Sequence, residues 1–352
     1  MSDTPPPNVW AAPPAGAPRW PAPAQGWPLA VHGGPPPPPP TATAPAGSAF
    51  HEQGRNGRQK APQRIGEFLL VAVGNLALPL VVIAFGALAG YVLGADFAAE
   101  DGERILADPL ADEALALLSI ATGIPVVLLA VRWCGSRPAG TAASVVGRLR
   151  WGWLVRCAAV AFPLIVLQMG GLALWGYLSD GEESLAGDFP GWSGFVLSLL
   201  VLWALIPFQA AAEEFVFRGW LAQFFGGFLR SPWPGIVLAS ALFAVAHGFG
   251  EWSGFALLFY SALWWGWLTI RTGGLEAVIA VHVANNMTAY GITVALGELA
   301  ESGNAADAPW QALVLELVAA PLYCLLIARL ATAHGVRRLS APDPAGRTEQ
   351  AA

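Results

Sequence analysis

Long apolar runs separated by short charged loops dominate this chain. In order they cover about Phe68 to Leu93, Ala114 to Val131, Trp153 to Leu178, Trp192 to Leu229, Gly235 to His247, Ser253 to Ile270, Leu275 to Leu296 and Trp310 to Leu330. A helix needs about 20 mainly apolar residues to cross a hydrocarbon core of about 30 Å. The pattern therefore predicts an all-α, polytopic membrane bundle of about eight transmembrane helices. Gly123 and Pro125 interrupt the second run. The fourth run is longer than one crossing needs, so it has to tilt, kink or extend past the membrane surface.

The loops alternate in charge. Arg55, Arg58, Lys60 and Arg64 precede the first run, and Arg132, Arg137, Arg148 and Arg150 follow the second. The loops at 96–113 and 180–188 are acidic instead. Basic loops stay on the cytoplasmic side, which predicts that both termini are cytoplasmic. Ahead of the first span, residues 1–64 are rich in proline and glycine, with an unbroken run from Pro35 to Pro40. Such a segment buries too little apolar surface to fold, and it is expected to be a disordered cytoplasmic arm. It has no basic start, apolar run and cleavage site in series, so it does not read as a signal peptide. His32 and His51 within it are assigned no catalytic or metal role. Residues 65–332 form the transmembrane domain and 333–352 a cytoplasmic tail.

Composition supports this reading. Of 352 residues, 55% are hydrophobic and only 12% are charged, against about a quarter in soluble domains. The net charge of −6 gives no footing for nucleic acid. Cys134, Cys157 and Cys324 lie in or beside spans without metal-ligand spacing and read as reduced structural residues.

Against this apolar background the sequence Ala212-Glu213-Glu214-Phe215-Val216-Phe217-Arg218 is conspicuous. Each charge inside a membrane helix costs about 2.5–3.5 kcal/mol on insertion scales, and the default explanation is function. On a helix, Glu214 and Arg218 share a face and can pair, while Glu213 points about 100° away. One carboxylate is thus structural and the other is available for chemistry. Other polar residues in the spans are Asn75, Gln168, Gln209, Gln223, His247, Glu276, His282, Asn285, Asn286 and Glu316. Asn75 and Gln168 read as interhelical hydrogen-bonding residues, Glu316 as structural, and Glu276 as a carboxylate favoured by a helix N-terminus. His247 follows Phe243 by one turn, and His282 precedes Asn286 by one turn, with Asn285 as the rival amide.

A glutamate, two histidines and an asparagine from three helices can meet only in the bundle interior, around a hydrated polar cavity. A desolvated carboxylate suits a general base for water. An imidazole and an amide N–H suit a developing oxyanion. The set therefore points to amide hydrolysis by activated water.

These residues also carry a resemblance. Glu213-Glu214-x-x-x-Arg218, Phe243-x-x-x-His247 and His282-x-x-x-Asn286 resemble, in order, the three motifs of the CPBP intramembrane proteases. That family groups type II CAAX prenyl endopeptidases with bacteriocin-processing and Abi-type proteins. The resemblance covers about Phe195 to Leu296. It implies that Glu213 activates water with His247 assisting, that His282 and Asn286 stabilise the oxyanion, and that Glu214, Arg218 and Phe243 support the site. It also raises the possibility of zinc on Glu213, His247 and His282. No H-E-x-x-H pair occurs, and a metal-free glutamate mechanism is preferred. The implied partners are a peptide or membrane-protein substrate and membrane lipid, in a bacterial cell membrane. Two other functions compete: a non-catalytic immunity or scaffold protein of the same fold, and a proton-coupled transporter using the same polar residues.

Overall fold

The computed structural model describes residues 40–98, 104–181, 187–301 and 304–341. Ten α-helices order these residues: α1 (Ala61–Leu93), α2 (Pro109–Ala121), α3 (Gly123–Trp133), α4 (Trp151–Asp180), α5 (Gly191–Glu214), α6 (Ala222–Gly226), α7 (Trp233–Ala246), α8 (Trp252–Thr272), α9 (Glu276–Leu296) and α10 (Trp310–Ala333). A π-helical segment, Phe215–Leu221, joins α5 to α6. Among the described residues, seven helical stretches are long and apolar enough to cross a membrane, and α7 is a shorter apolar helix.

Local chemistry sets the ends of these helices. Asp108 caps α2 by accepting from the Ala111 N–H at 2.8 Å, with Pro109 pre-shaped for the first turn. Gly273 and Gly297 end α8 and α9 in left-handed conformation, which a residue without Cβ adopts freely. Outside surfaces stay apolar: Leu76, Phe85 and Leu88 of α1 are exposed, as a lipid-facing helix requires.

Packing runs from α4 to α9, from α9 to α5 and from α5 to α2, while α10 contacts both α4 and α8. The largest apolar core gathers Trp153 and Cys157 of α4, Val278 and Val281 of α9, and Tyr323 and Ile327 of α10. Cys134, Cys157 and Cys324 are free thiols.

Two expectations gain detail and two are corrected. The second span is one crossing, Pro109–Trp133, but it breaks at Thr122 into α2 and α3. There Gly123 lets Asn75 of α1 approach; a Cβ on Gly123 would lie 2.9 Å from the Asn75 amide oxygen. The fourth run is a continuous 36-residue helical stretch, Gly191–Gly226, about 54 Å long. Pro207 and the π segment lie within it. The fifth run, α7, has 14 residues, about 21 Å, and is too short to span the core unaided. Glu276 needs more than a helix N-terminus: Arg150 binds it at 2.6 and 2.8 Å through two nitrogens and again through its backbone N–H.

The expected disordered arm over residues 1–64 also needs correction where it is described; residues 1–39 lie outside the described residues. A 3₁₀ turn, Phe50–Gly54, buries Phe50, His51 and Gln53. Arg55 donates to the Gly226 and Leu229 carbonyls at 2.8 and 2.6 Å. These carbonyls end a helix and lack partners of their own, so a cationic side chain docks there favourably. The C-terminal segment joins the same face. Ser340 N–H donates to the Ser48 carbonyl at 2.9 Å, and Ala49 pairs with Leu339. The segments preceding α1 and following α10 therefore lie on one side of the bundle.

Candidate active site

Three helices bring the charged motif together. Glu213 and Glu214 are the last residues of α5, where the ladder widens into the π segment. Such one-turn widenings recur at functional sites because they re-aim side chains within a helix. Here the segment packs against α3, α7 and the turn Ala139–Ala142. Gly219 makes that approach possible: a Cβ there would lie 3.0 Å from the Ala142 carbonyl oxygen and 3.3 Å from Leu275.

The two carboxylates occupy different environments. Glu214 is fully buried and binds the Arg218 guanidinium at 2.9 Å and the His282 ring at 2.8 Å through the same oxygen. A carboxylate accepts hydrogen bonds, so His282 carries its proton on Nδ1 and directs Nε2 elsewhere. Arg218 is further held over the faces of Phe243 and Trp265, at 4.0 and 5.2 Å from the ring centroids. Aromatic faces attract a guanidinium, and they shield this charge from lipid.

Glu213 keeps partial access, with 14% of its side chain exposed. Its Oε1 accepts from the Gln209 amide at 2.6 Å. Its Oε2 is buried without a hydrogen-bond partner and lies 3.6 Å from His282 Nε2. That gap is too long for a direct hydrogen bond. His247 begins the loop after α7, with Nδ1 donating to the Phe243 carbonyl at 2.9 Å. Its Nε2 is thereby left free, and the Phe243 ring packs on the imidazole at 4.6 Å. Asn304 donates to the His247 carbonyl and steadies that loop.

Asn286 shares the α9 face with His282. Its amide donates to Gln209 Oε1 at 3.0 Å and accepts from Asn285 at 3.1 Å. Gln209 therefore connects Glu213 to Asn286, a role that residue-by-residue reading missed, although its position one turn before Glu213 was the available signal. Trp265, which packs on His282 at 5.3 Å, had no such signal; its contact is made between helices.

Glu213, His247, His282 and Asn286 all line one cavity of about 920 Å³. Phe243 forms part of the same wall, with Phe217 edge-on to it at 5.3 Å. Two further polar groups face this space. Tyr290, two turns beyond His282 on α9, donates to Glu113 of α2. Glu316, read from sequence as merely structural, accepts from Gln168 of α4 at 2.7 Å and from Ser261 of α8.

Among the described residues no three His, Cys, Asp or Glu groups converge with ligand geometry. No catalytic step is derived through a metal.

Comparison with known proteins places this geometry. Residues 193–288 match the family model of type II CAAX prenyl endopeptidase Rce1-like proteins. Over this stretch the chain is similar to the CPBP intramembrane proteases, in keeping with its three motifs. The matched residues span the whole motif set from Glu213 to Asn286. Over 225 residues the chain is also 29% identical to the uncharacterized protein YyaK of Bacillus subtilis (strain 168), covering 62% of this chain and 73% of that one. No solved structure matches. The family, together with the seven long apolar helices, identifies an integral membrane protein.

Proposed function

We propose that this protein is an intramembrane endopeptidase that hydrolyses a peptide bond with water activated by Glu213. One observation carries the reading: Glu213 Oε2 is desolvated and unpartnered at the wall of a large cavity, with two imidazoles and an amide around the same space. A carboxylate in that condition gains most by accepting a proton from water.

Water held between Glu213 Oε2 and His247 Nε2 gives its proton to Glu213, and its oxygen attacks the substrate carbonyl. The developing oxyanion accepts from the second N–H of Asn286, since only one is used by Gln209. His282, held through Nδ1 by Glu214, presents Nε2 to the same space at 3.6 Å from Glu213 Oε2. Glu213 next delivers its proton to the leaving nitrogen, the C–N bond breaks, and the carboxylate is restored. Arg218 and Glu214 hold the His282 ring but touch no reacting atom. The protein acts in a bacterial cell membrane with both termini cytoplasmic. The pairing of Ser48 with Ser340 supports placing them on one side, and the basic loops support the cytoplasmic assignment.

The test is cleavage of a quenched-fluorescence peptide library by purified protein and by Glu213→Gln. Complete loss of cleavage in a variant that retains its thermal melt is expected. Equal cleavage by both proteins would sink the assignment.

A further inference from the structure

The cavity is acidic. Among its described lining residues, Glu113, Glu213 and Glu316 are carboxylates, and neither arginine nor lysine occurs. The nearest guanidinium, Arg218, is committed to Glu214 below the wall. Glu213 belongs to the proposed chemistry and Glu113 has Tyr290, which leaves Glu316 to be explained.

Glu316 is buried, 8% exposed, and no cation among the described residues pairs with it. Its two oxygens take one hydrogen bond each, from Ser261 and from the Gln168 amide. The Gln168 amide keeps a second N–H, and the Ser261 hydroxyl also lies 2.9 Å from the Leu257 carbonyl. The cluster also offers acceptors: the spare lone pairs of Glu316 and the Gln168 Oε1 atom, which is buried without a partner. Three helices thus converge on a pocket wall where acceptors outnumber donors and, among the described lining residues, no cation occurs. A buried carboxylate beside an unsatisfied amide oxygen is costly until a donor arrives. A lysine ammonium or arginine guanidinium brings several donors and the missing charge. Ser261 lies one helical turn, about 6 Å along α8, from Trp265, which packs on His282. The cluster is therefore placed to hold a residue close to the bond under attack.

We propose that Glu316, supported by Gln168 and Ser261, is a specificity-determining residue that selects substrates carrying a lysine or arginine near the cleaved bond. The inference rests on the peptidase reading and adds a substrate class to it: segments that carry a basic residue.

The experiment uses the full chain in lipid nanodiscs and peptides that differ only by lysine or norleucine at each position flanking the cleaved bond. At one position the lysine peptide is expected to be cut with kcat/KM higher by about 10- to 100-fold, the range of a charged hydrogen bond. Glu316→Gln should bring that ratio close to one, through KM more than kcat. A wild-type ratio near one, an unchanged ratio in Glu316→Gln, or an equal fall for both peptides would overturn the proposal. A second arm measures binding of the same labelled peptides to Glu213→Gln with and without Glu316→Gln. Lysine-dependent binding without any cleavage by wild type would keep this inference and remove the peptidase. Cleavage without lysine dependence would do the reverse, and no lysine preference in either arm overturns it.

Discussion

Replacing Glu214 with alanine isolates what the buried carboxylate contributes. Its oxygen holds the Arg218 guanidinium and the His282 ring, both almost without solvent access. A hydrogen bond to a charged group contributes about 1.5–3 kcal/mol, so two such contacts amount to about 3–6 kcal/mol. Breaking a buried pair by removing one partner costs about 3–5 kcal/mol by independent measure, and the two figures agree. The aromatic faces of Phe243 and Trp265 remain and offset part of the loss. Glu213 presents a contrast on the adjacent residue, since it is partly exposed and bonded to one neutral amide. Glu213→Gln, which keeps the shape and can still bond Gln209, should cost less than about 1.5 kcal/mol. The assay is denaturant unfolding in detergent micelles of wild type, Glu214→Ala, Arg218→Met and the double variant. Glu214→Ala should lose about 3–5 kcal/mol, and the double variant should recover a substantial part of it, because no orphaned charge remains. An unchanged transition in Glu214→Ala, or losses that simply add in the double variant, would refute the reasoning.

Other outcomes follow from the same contacts. Gln209→Leu removes the donor to Glu213 and the acceptor for Asn286 together, so kcat of the proposed cleavage should fall by about 10- to 100-fold with little change in KM, read by steady-state kinetics. His51 supplies a pH test outside the membrane. Burial is the largest influence and pushes its imidazole below the ordinary value; the Arg230 carbonyl and Glu52 oppose this, and Arg55 adds to it. Nε2 donates to that carbonyl at 3.2 Å, while Nδ1 is buried without a partner, so protonation would strand a donor. Because the folded value lies below the unfolded one of about 6.5, the stabilisation is present above that pH and is lost as pH falls below it. Hydrogen exchange of the Phe50–Gly54 turn should accelerate below about pH 6.5 in wild type, and His51→Gln should remove that dependence.

Much of this protein was legible before any coordinates. Hydrocarbon permits no unpaired backbone, so apolar runs of sufficient length had to be helices. The cost of charge in lipid marked Glu213, Glu214 and Arg218 as residues with a purpose. Helical spacing alone separated Glu214 as the partner of Arg218 from Glu213 as the exposed member of the pair. What sequence spacing could not supply was contact between helices. That Glu214 also holds His282, that Gln209 joins Glu213 to Asn286, and that Glu316 finds Gln168 and Ser261 depend on the rotation and depth of each helix. Those are set by packing of nearly uniform apolar surfaces, which leave no periodic trace. The π segment and the docking of residues 45–55 onto the end of α6 belong to the same class. Each answers unpaired backbone groups or close approaches that exist only once the bundle has assembled.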